Sequence, residues 1–144
     1  MTLNDEELLD RYPWGAIDHD NKEQWRGFVD RQLLIDRCDA CGHWFDPPRP
    51  MCPKCWSLEV SPSPVSGRGR IMWFTLMFQG IPGATPEAPV PLAVVELDEQ
   101  EGLRVDALIV DCDPADIRCD MPVELVWQGD EDAPVPAFTA ATDE

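Results

Sequence analysis

The chain has 144 residues, 44% of them hydrophobic, and a formal net charge of −17, which bounds it to one domain or two very small ones with a modest core. That charge argues against a nucleic-acid partner, because phosphate binding draws its affinity from clustered Lys and Arg, and no apolar run reaches the roughly 20 residues of a membrane span. The charge is uneven, at −5 over residues 1–39, +1 over 40–90 and −13 over 91–144, so an anionic ligand would meet the middle third.

The first residues, Met1 to Asp10, lack the charged-then-apolar pattern of a secretory signal, and the expectation is a soluble cytoplasmic protein. Asn4 with Glu7 makes a capping pair ahead of Leu8, Leu9 and Tyr12, which predicts a short helix ended by Pro13. A second helix is predicted from about Asn21, with Trp25, Phe28, Val29 and Leu33 (or Gln32) on one stripe. That stripe packs on its own domain or lines a ligand cavity or partner surface. Leu33 to Arg37 has the composition of a strand.

That strand leads into the most informative motif of the chain. Cys38/Cys41 and Cys52/Cys55 form two Cys-x-x-Cys knuckles with ten residues between them. Four thiolates close a tetrahedral site and leave no open position for water, so a zinc ion there is structural. The short spacer suits a rubredoxin-like ribbon, and iron fits the same four sulfurs. Disulfides would require an oxidising compartment. His43 is an ordinary loop residue, since four thiolates already fill the coordination shell. Between the knuckles, Trp44-Phe45-Asp46-Pro47-Pro48-Arg49-Pro50 reads as a stiff loop with exposed aromatics.

After the ribbon, Ser61-Pro62-Ser63-Pro64 reads as an extended linker, and the glycines of Ser66-Gly67-Arg68-Gly69-Arg70 allow a bulge or a sharp curl. Strands are predicted at Ile71 to Phe78, Leu92 to Leu97, Leu103 to Val110 and Val123 to Trp127, with a helical turn at Asp113 to Ile117 and a long loop over Gly80 to Pro91. Four or five such strands make a small antiparallel barrel of the OB-fold type. The acidic stretch from Asp130 to Glu144 is expected to be mobile at its end.

The fold class predicted is therefore mainly β with N-terminal helices, a rubredoxin-like zinc ribbon and then a small OB-fold barrel. Its parts are a helical extension over residues 1–35, the ribbon over 36–60, the barrel over 61–138 and an acidic tail over 139–144.

Direct catalysis finds little support in these residues. His19 and His43, the two histidines, have no serine or cysteine nucleophile beside them. Cys112 and Cys119 stand six residues apart, too far for a knuckle, and read as buried inert thiols. Glu96, Asp98, Glu99 and Glu101 lack the spacing of a calcium loop and read as a solvated strand end and turn. The aromatics Trp44, Phe45, Trp56, Trp73, Phe74 and Phe78 exceed what one small barrel hides, which makes a partner surface formed by the ribbon, with Trp44, Phe45 and Trp56, and the adjacent barrel strand the preferred reading.

The order of parts resembles a known family, the domain-of-unknown-function family thirty-five found beside thiolase-like enzymes. The matching segments are Cys38 to Cys41, Pro47-Pro48-Arg49, Cys52 to Cys55, Ser66-Gly67-Arg68-Gly69, Pro91 to Leu97, Met121-Pro122-Val123 and Val135-Pro136-Ala137-Phe138. Met121-Pro122 departs from the family's usual glycine-methionine pair. The resemblance implies a non-catalytic accessory subunit in a hetero-oligomer with a thiolase, an acyltransferase or a steroid side-chain aldolase. Such a subunit docks on the enzyme and helps to form its acyl-CoA site. Within that reading Arg68 and Arg70 pair with CoA phosphates, or else they cover the barrel edge. The rival is a free-standing acyl-CoA or lipid carrier.

Overall fold

The computed structural model describes residues 3–142, which divide into two compact units: residues up to Val65 together with Trp127–Val135, and Ser66–Val126 together with the chain from Pro136 onward.

The first unit begins with helix α1, Asp5–Arg11. Its capping box is complete: the Glu7 N–H donates to Asn4 Oδ1 at 2.8 Å and the Asn4 N–H to Glu7 Oε1 at 3.2 Å. Tyr12 caps the other end and is fully buried, and its hydroxyl donates to the Pro134 carbonyl at 2.8 Å. Helix α2, Lys22–Val29, ends earlier than its stripe predicts. The Arg31 N–H donates to the Phe28 carbonyl and the Gln32 N–H to that of Gly27, with Arg31 in the left-handed region at φ 56°. This is a Schellman closure, and it leaves Leu33 outside the helix.

The stripe packs on its own unit. The Trp25 ring lies 5.0 Å from that of Tyr12 and 5.1 Å from that of Phe28, and Phe28 lies 5.8 Å from Trp127, most of them edge-on. Such aromatic pairs add about 0.5–1.5 kcal/mol each beyond their area.

Three antiparallel strands complete this unit: β1, Leu34–Cys38; β2, Trp44–Phe45; and β3, Val60–Pro64, in the order β2–β1–β3. The predicted linker Ser61 to Pro64 is therefore a strand, with Asp36 opposite Pro62 and Leu34 opposite Pro64. Proline has no N–H to give a ladder, but on an edge strand that donor faces away from the partner, and β3 is an edge.

A nearly closed five-stranded antiparallel barrel, as predicted, makes up the second unit, except that the Trp127–Val135 hairpin joining its last two strands groups with the first unit. Its strands are β4, Arg68–Met77; β5, Val90–Leu97; β6, Arg104–Leu108; β7, Pro122–Asp130; and β8, Ala133–Ala140, in the order β6–β5–β4–β7–β8. The Val110 N–H reaches the Phe138 carbonyl at 2.9 Å, next to a parallel bridge from Ile109 to Phe138, and draws the two edges together. A single 3-10 turn, Pro114–Asp116, stands where a helical turn was predicted. Strand β8 runs through the acidic stretch that begins at Asp130 and carries the barrel two residues past its predicted boundary at 138. Its prolines, Pro134 and Pro136, again sit on an edge strand, while Asp143 and Glu144 lie outside the described residues.

Ile71, Val95, Leu97, Val123 and Phe138 fill the barrel. The register break of β4 falls between Ile71 and Trp73 rather than at the glycines. Gly69 serves a different purpose: a Cβ there would stand 2.4 Å from the Glu96 carbonyl oxygen of β5. Gly69→Ala must push the two central strands apart, and it is expected to destabilise the barrel by about 2–4 kcal/mol, read as a lowered midpoint in urea unfolding.

Candidate metal centre

The two knuckles are built alike. In the first, the Cys38 N–H donates to the His43 carbonyl and the Gly42 N–H returns to the Cys38 carbonyl, both at 2.9 Å; in the second, the Cys52 N–H donates to Ser57 and the Trp56 N–H to Cys52, again at 2.9 Å. Each turn aims two cysteine side chains at one point. The four sulfurs all lie within 4.8 Å of one another, with Cys38 to Cys55 at 3.6 Å and Cys41 to Cys52 at 3.7 Å. Sulfurs bound to one tetrahedral ion at about 2.3 Å stand roughly 3.8 Å apart, whereas a disulfide requires about 2.05 Å. The donor set therefore fits a metal ion and does not fit a pair of disulfides.

Backbone donors prepare two of the sulfurs, Cys38 and Cys52, for that charge, whereas at Cys55 the Ser57 N–H is outweighed by the neighbouring Cys38 thiol and by burial, which push it up to about 12. The Cys41 N–H points at Cys38 Sγ at 3.4 Å and lowers the Cys38 pKa. At Cys52 burial works against ionisation, but the N–H groups of Cys55 and Lys54 outweigh it and bring the thiol down to about 7. Beneath the sulfurs, Phe45 packs with Cys38, Cys52 and Val60.

Trp44 and Phe45 are not exposed aromatics. They are 8% and 5% accessible, because β2 is held against β1 and the Arg37 guanidinium lies 4.8 Å above the Trp44 ring. Their loop position suggested a surface role, but pairing of Arg37 with Trp44 and of Asp36 with Phe45 turns them into the ribbon's own core. A Trp44→Ala variant would therefore disturb ribbon packing and would not report cleanly on docking. Trp56 is the exception, at 75% exposure, with Leu58 at 71% nearby in sequence.

Trp56 also holds a feature that residue-type reasoning missed. Its φ is 67°, and the equivalent residue of the first knuckle, Gly42, has φ 79°. A left-handed backbone costs a residue with a Cβ about 1–2 kcal/mol. Aligning the knuckles as Cys-x-x-Cys-Gly and Cys-x-x-Cys-Trp would have revealed it.

In the barrel, Arg70 pairs with Glu96 Oε1 at 2.9 Å and Asp120 Oδ1 at 3.3 Å, while Arg68 is exposed. Glu96 is not a solvated turn residue. It is buried opposite Arg70 on β5, and its second oxygen accepts the Gly102 N–H. Glu99 accepts the Ser66 N–H at 2.6 Å, whereas Asp98 and Glu101 are exposed. The Gly102 N–H, and after it Arg70, hold the Glu96 pKa below the ordinary glutamate range. Cys119 is exposed and Cys112 half-buried, so these are not the buried thiols expected. No helix among the described residues is long and apolar enough to cross a membrane.

A ribbon with a four-thiolate metal cluster, followed by an OB-type barrel, defines a class of two-module proteins. Residues 25–61 match the model of the ChsH2 rubredoxin-like zinc ribbon domain, and residues 63–128 match that of the ChsH2 C-terminal OB-fold domain. The chain is 35% identical over 106 residues to a DUF35 domain-containing scaffold protein of Methanocaldococcus jannaschii, covering 72% of this chain and 74% of that one. It is 35% identical over 89 residues to benzoylsuccinyl-CoA thiolase subunit BbsA of Thauera aromatica, covering 62% and 58% of the respective chains. Among solved structures it is similar to a chain of the Ltp2-ChsH2(DUF35) aldolase, with a TM-score of 0.77 and 31% identity, covering 88% of this chain and 98% of that one. The chain belongs to the DUF35 family.

Two outcomes test this site. Cys52→Ser is expected to lose bound metal, measured by elemental analysis, and to melt the ribbon, since removing one of four thiolates opens the coordination shell. Glu96→Gln is expected to lower the melting temperature at pH 7. A depressed folded-state pKa adds stability above the ordinary glutamate range and loses it as pH falls through the folded value, so the gap between variant and wild type closes below about pH 4.

Proposed function

We propose that this chain is the non-catalytic accessory subunit of a thiolase-like enzyme, docking on it and helping to form its acyl-CoA site. The observation that carries the reading is the match, over 98% of its length, to the DUF35 chain of an aldolase whose name joins it to a second component. The likeness to a benzoylsuccinyl-CoA thiolase subunit supports the same role with a CoA ester as substrate.

The metal is a structural zinc held by Cys38, Cys41, Cys52 and Cys55. Bound there it supplies rigidity and no chemistry, because a closed tetrahedral shell admits neither water nor substrate. Docking falls to the exposed aromatic of the ribbon, Trp56, while Trp44 and Phe45 stiffen the ribbon as part of its core. Of Arg68 and Arg70, both exposed, Arg68 is the one without a carboxylate partner among the described residues and the better placed to meet a CoA phosphate. Arg70 faces two carboxylates, and a phosphate there would compete with Glu96. The whole-chain charge of −17 opposes CoA at long range, but salt screens that repulsion beyond roughly 8 Å.

Gentle affinity purification of the full chain from its native cell, followed by mass spectrometry, tests the role. A thiolase-like subunit in stoichiometric amount is the expected outcome. Recovery of the chain alone, or with bound lipid only, would replace the subunit reading with that of a free-standing acyl-CoA or lipid carrier.

A further inference from the structure

The second knuckle carries a residue that its own geometry disfavours. Both knuckles close through the same pair of backbone hydrogen bonds, and both require a left-handed residue directly after the second cysteine. The first uses Gly42, the residue suited to that backbone. The second places there a tryptophan and leaves 75% of it exposed. Folding gains nothing from this choice: the indole buries little surface, and the bend it occupies is strained. Strain of this kind persists where a site uses the residue it constrains.

Resting on the subunit reading above, we propose that Trp56 is the anchor by which this chain docks on its thiolase-like partner, kept at some expense to the metal knuckle. The surrounding sequence suits the centre of an interface. From Met51 to Leu58 the single charged residue is Lys54, in a chain of net charge −17, and Met51 and Leu58 are exposed apolar residues of the same stretch. Interface centres are depleted in charge and enriched in tryptophan. The knuckle's hydrogen bonds fix the Trp56 backbone before binding, so no backbone freedom is lost there on docking. The partner's complementary feature is an apolar socket with one hydrogen-bond acceptor for the indole N–H, which seeks a partner once it is buried.

The test uses the full chain and the thiolase-like subunit recovered with it, each repurified and remixed. Trp56→Gly relieves the backbone and removes the indole; Trp56→Asn keeps a residue tolerant of the left-handed region and removes the indole as well. Both variants are expected to raise the Kd for the partner about 30-fold or more while retaining their metal. Trp56→Gly is expected in addition to lose its metal to a chelator about fivefold more slowly than wild type.

If both variants bind within twofold of a wild type that does bind, Trp56 is not the anchor. Metal loss from Trp56→Gly as fast as from wild type would overturn the strain argument. A wild type that self-associates through Trp56, and whose variants are monomeric with unchanged affinity for the enzyme, would reassign the surface to a second copy of this chain. Failure of the subunit reading is visible earlier and separately, because the wild type would then bind no thiolase-like subunit.

Discussion

Four sulfur atoms gathered within 4.8 Å carry the first unit's sheet, in which β2 has only two residues and β3 contains two prolines. The apolar cluster around the sulfurs consists of Cys38, Phe45 and Cys52, with Val60 packed against them. So small a cluster leaves the knuckles dependent on a bound metal, and a structural zinc contributes on the order of 10 kcal/mol of apparent binding energy to such folds. Two of the four clustered cysteines, Cys38 and Cys52, are therefore also core residues of the ribbon, and Phe45 packs with them. The twin hydrogen-bonded knuckles follow from the same demand, since two thiolates per turn must meet at one ion.

Legibility in the sequence followed the strength of the local signal. The capping box of Asn4 and Glu7 and the paired knuckles place specific atoms at fixed offsets, and the structure reproduces both. Strand β3 and strand β8 were harder to see for one shared reason. Pro62, Pro64, Pro134 and Pro136 argue against a strand wherever a ladder runs on both sides, and the sequence does not say which strands are edges. Glu96 was misread because its role depends on Arg70, twenty-six residues away, and on a turn N–H that forms only once β5 and β6 pair. Trp44 looked exposed because a proline-rich loop follows it, yet two residues of pairing suffice to bury it.

Electrostatics separate the carboxylates that build the barrel from those that coat it. Of the −13 over residues 91–144, Glu96 and Glu99 are bound to backbone N–H groups, and Glu96 also to a guanidinium. Asp98, Glu101, Asp106, Asp111 and their neighbours face water. A shell of this kind keeps a protein soluble and discourages non-specific association, and against it a stretch without carboxylates, such as the second knuckle with Lys54 as its one charged side chain, stands out.

The path of the chain has a consequence for how the protein is made. The hairpin Trp127–Val135 belongs to the first unit, where it supplies the carbonyl for Tyr12, the ring against Phe28 and, through Asp132, a carbonyl for Arg11. Domains commonly fold in order as they leave the ribosome, but here Tyr12 waits for a carbonyl 122 residues further along the chain. Until the hairpin emerges, the hydroxyl of Tyr12 lacks its acceptor, and a buried polar group without a partner costs about 1–3 kcal/mol. The helical segment therefore completes its packing only after the hairpin has been synthesised, and so after the four clustered cysteines.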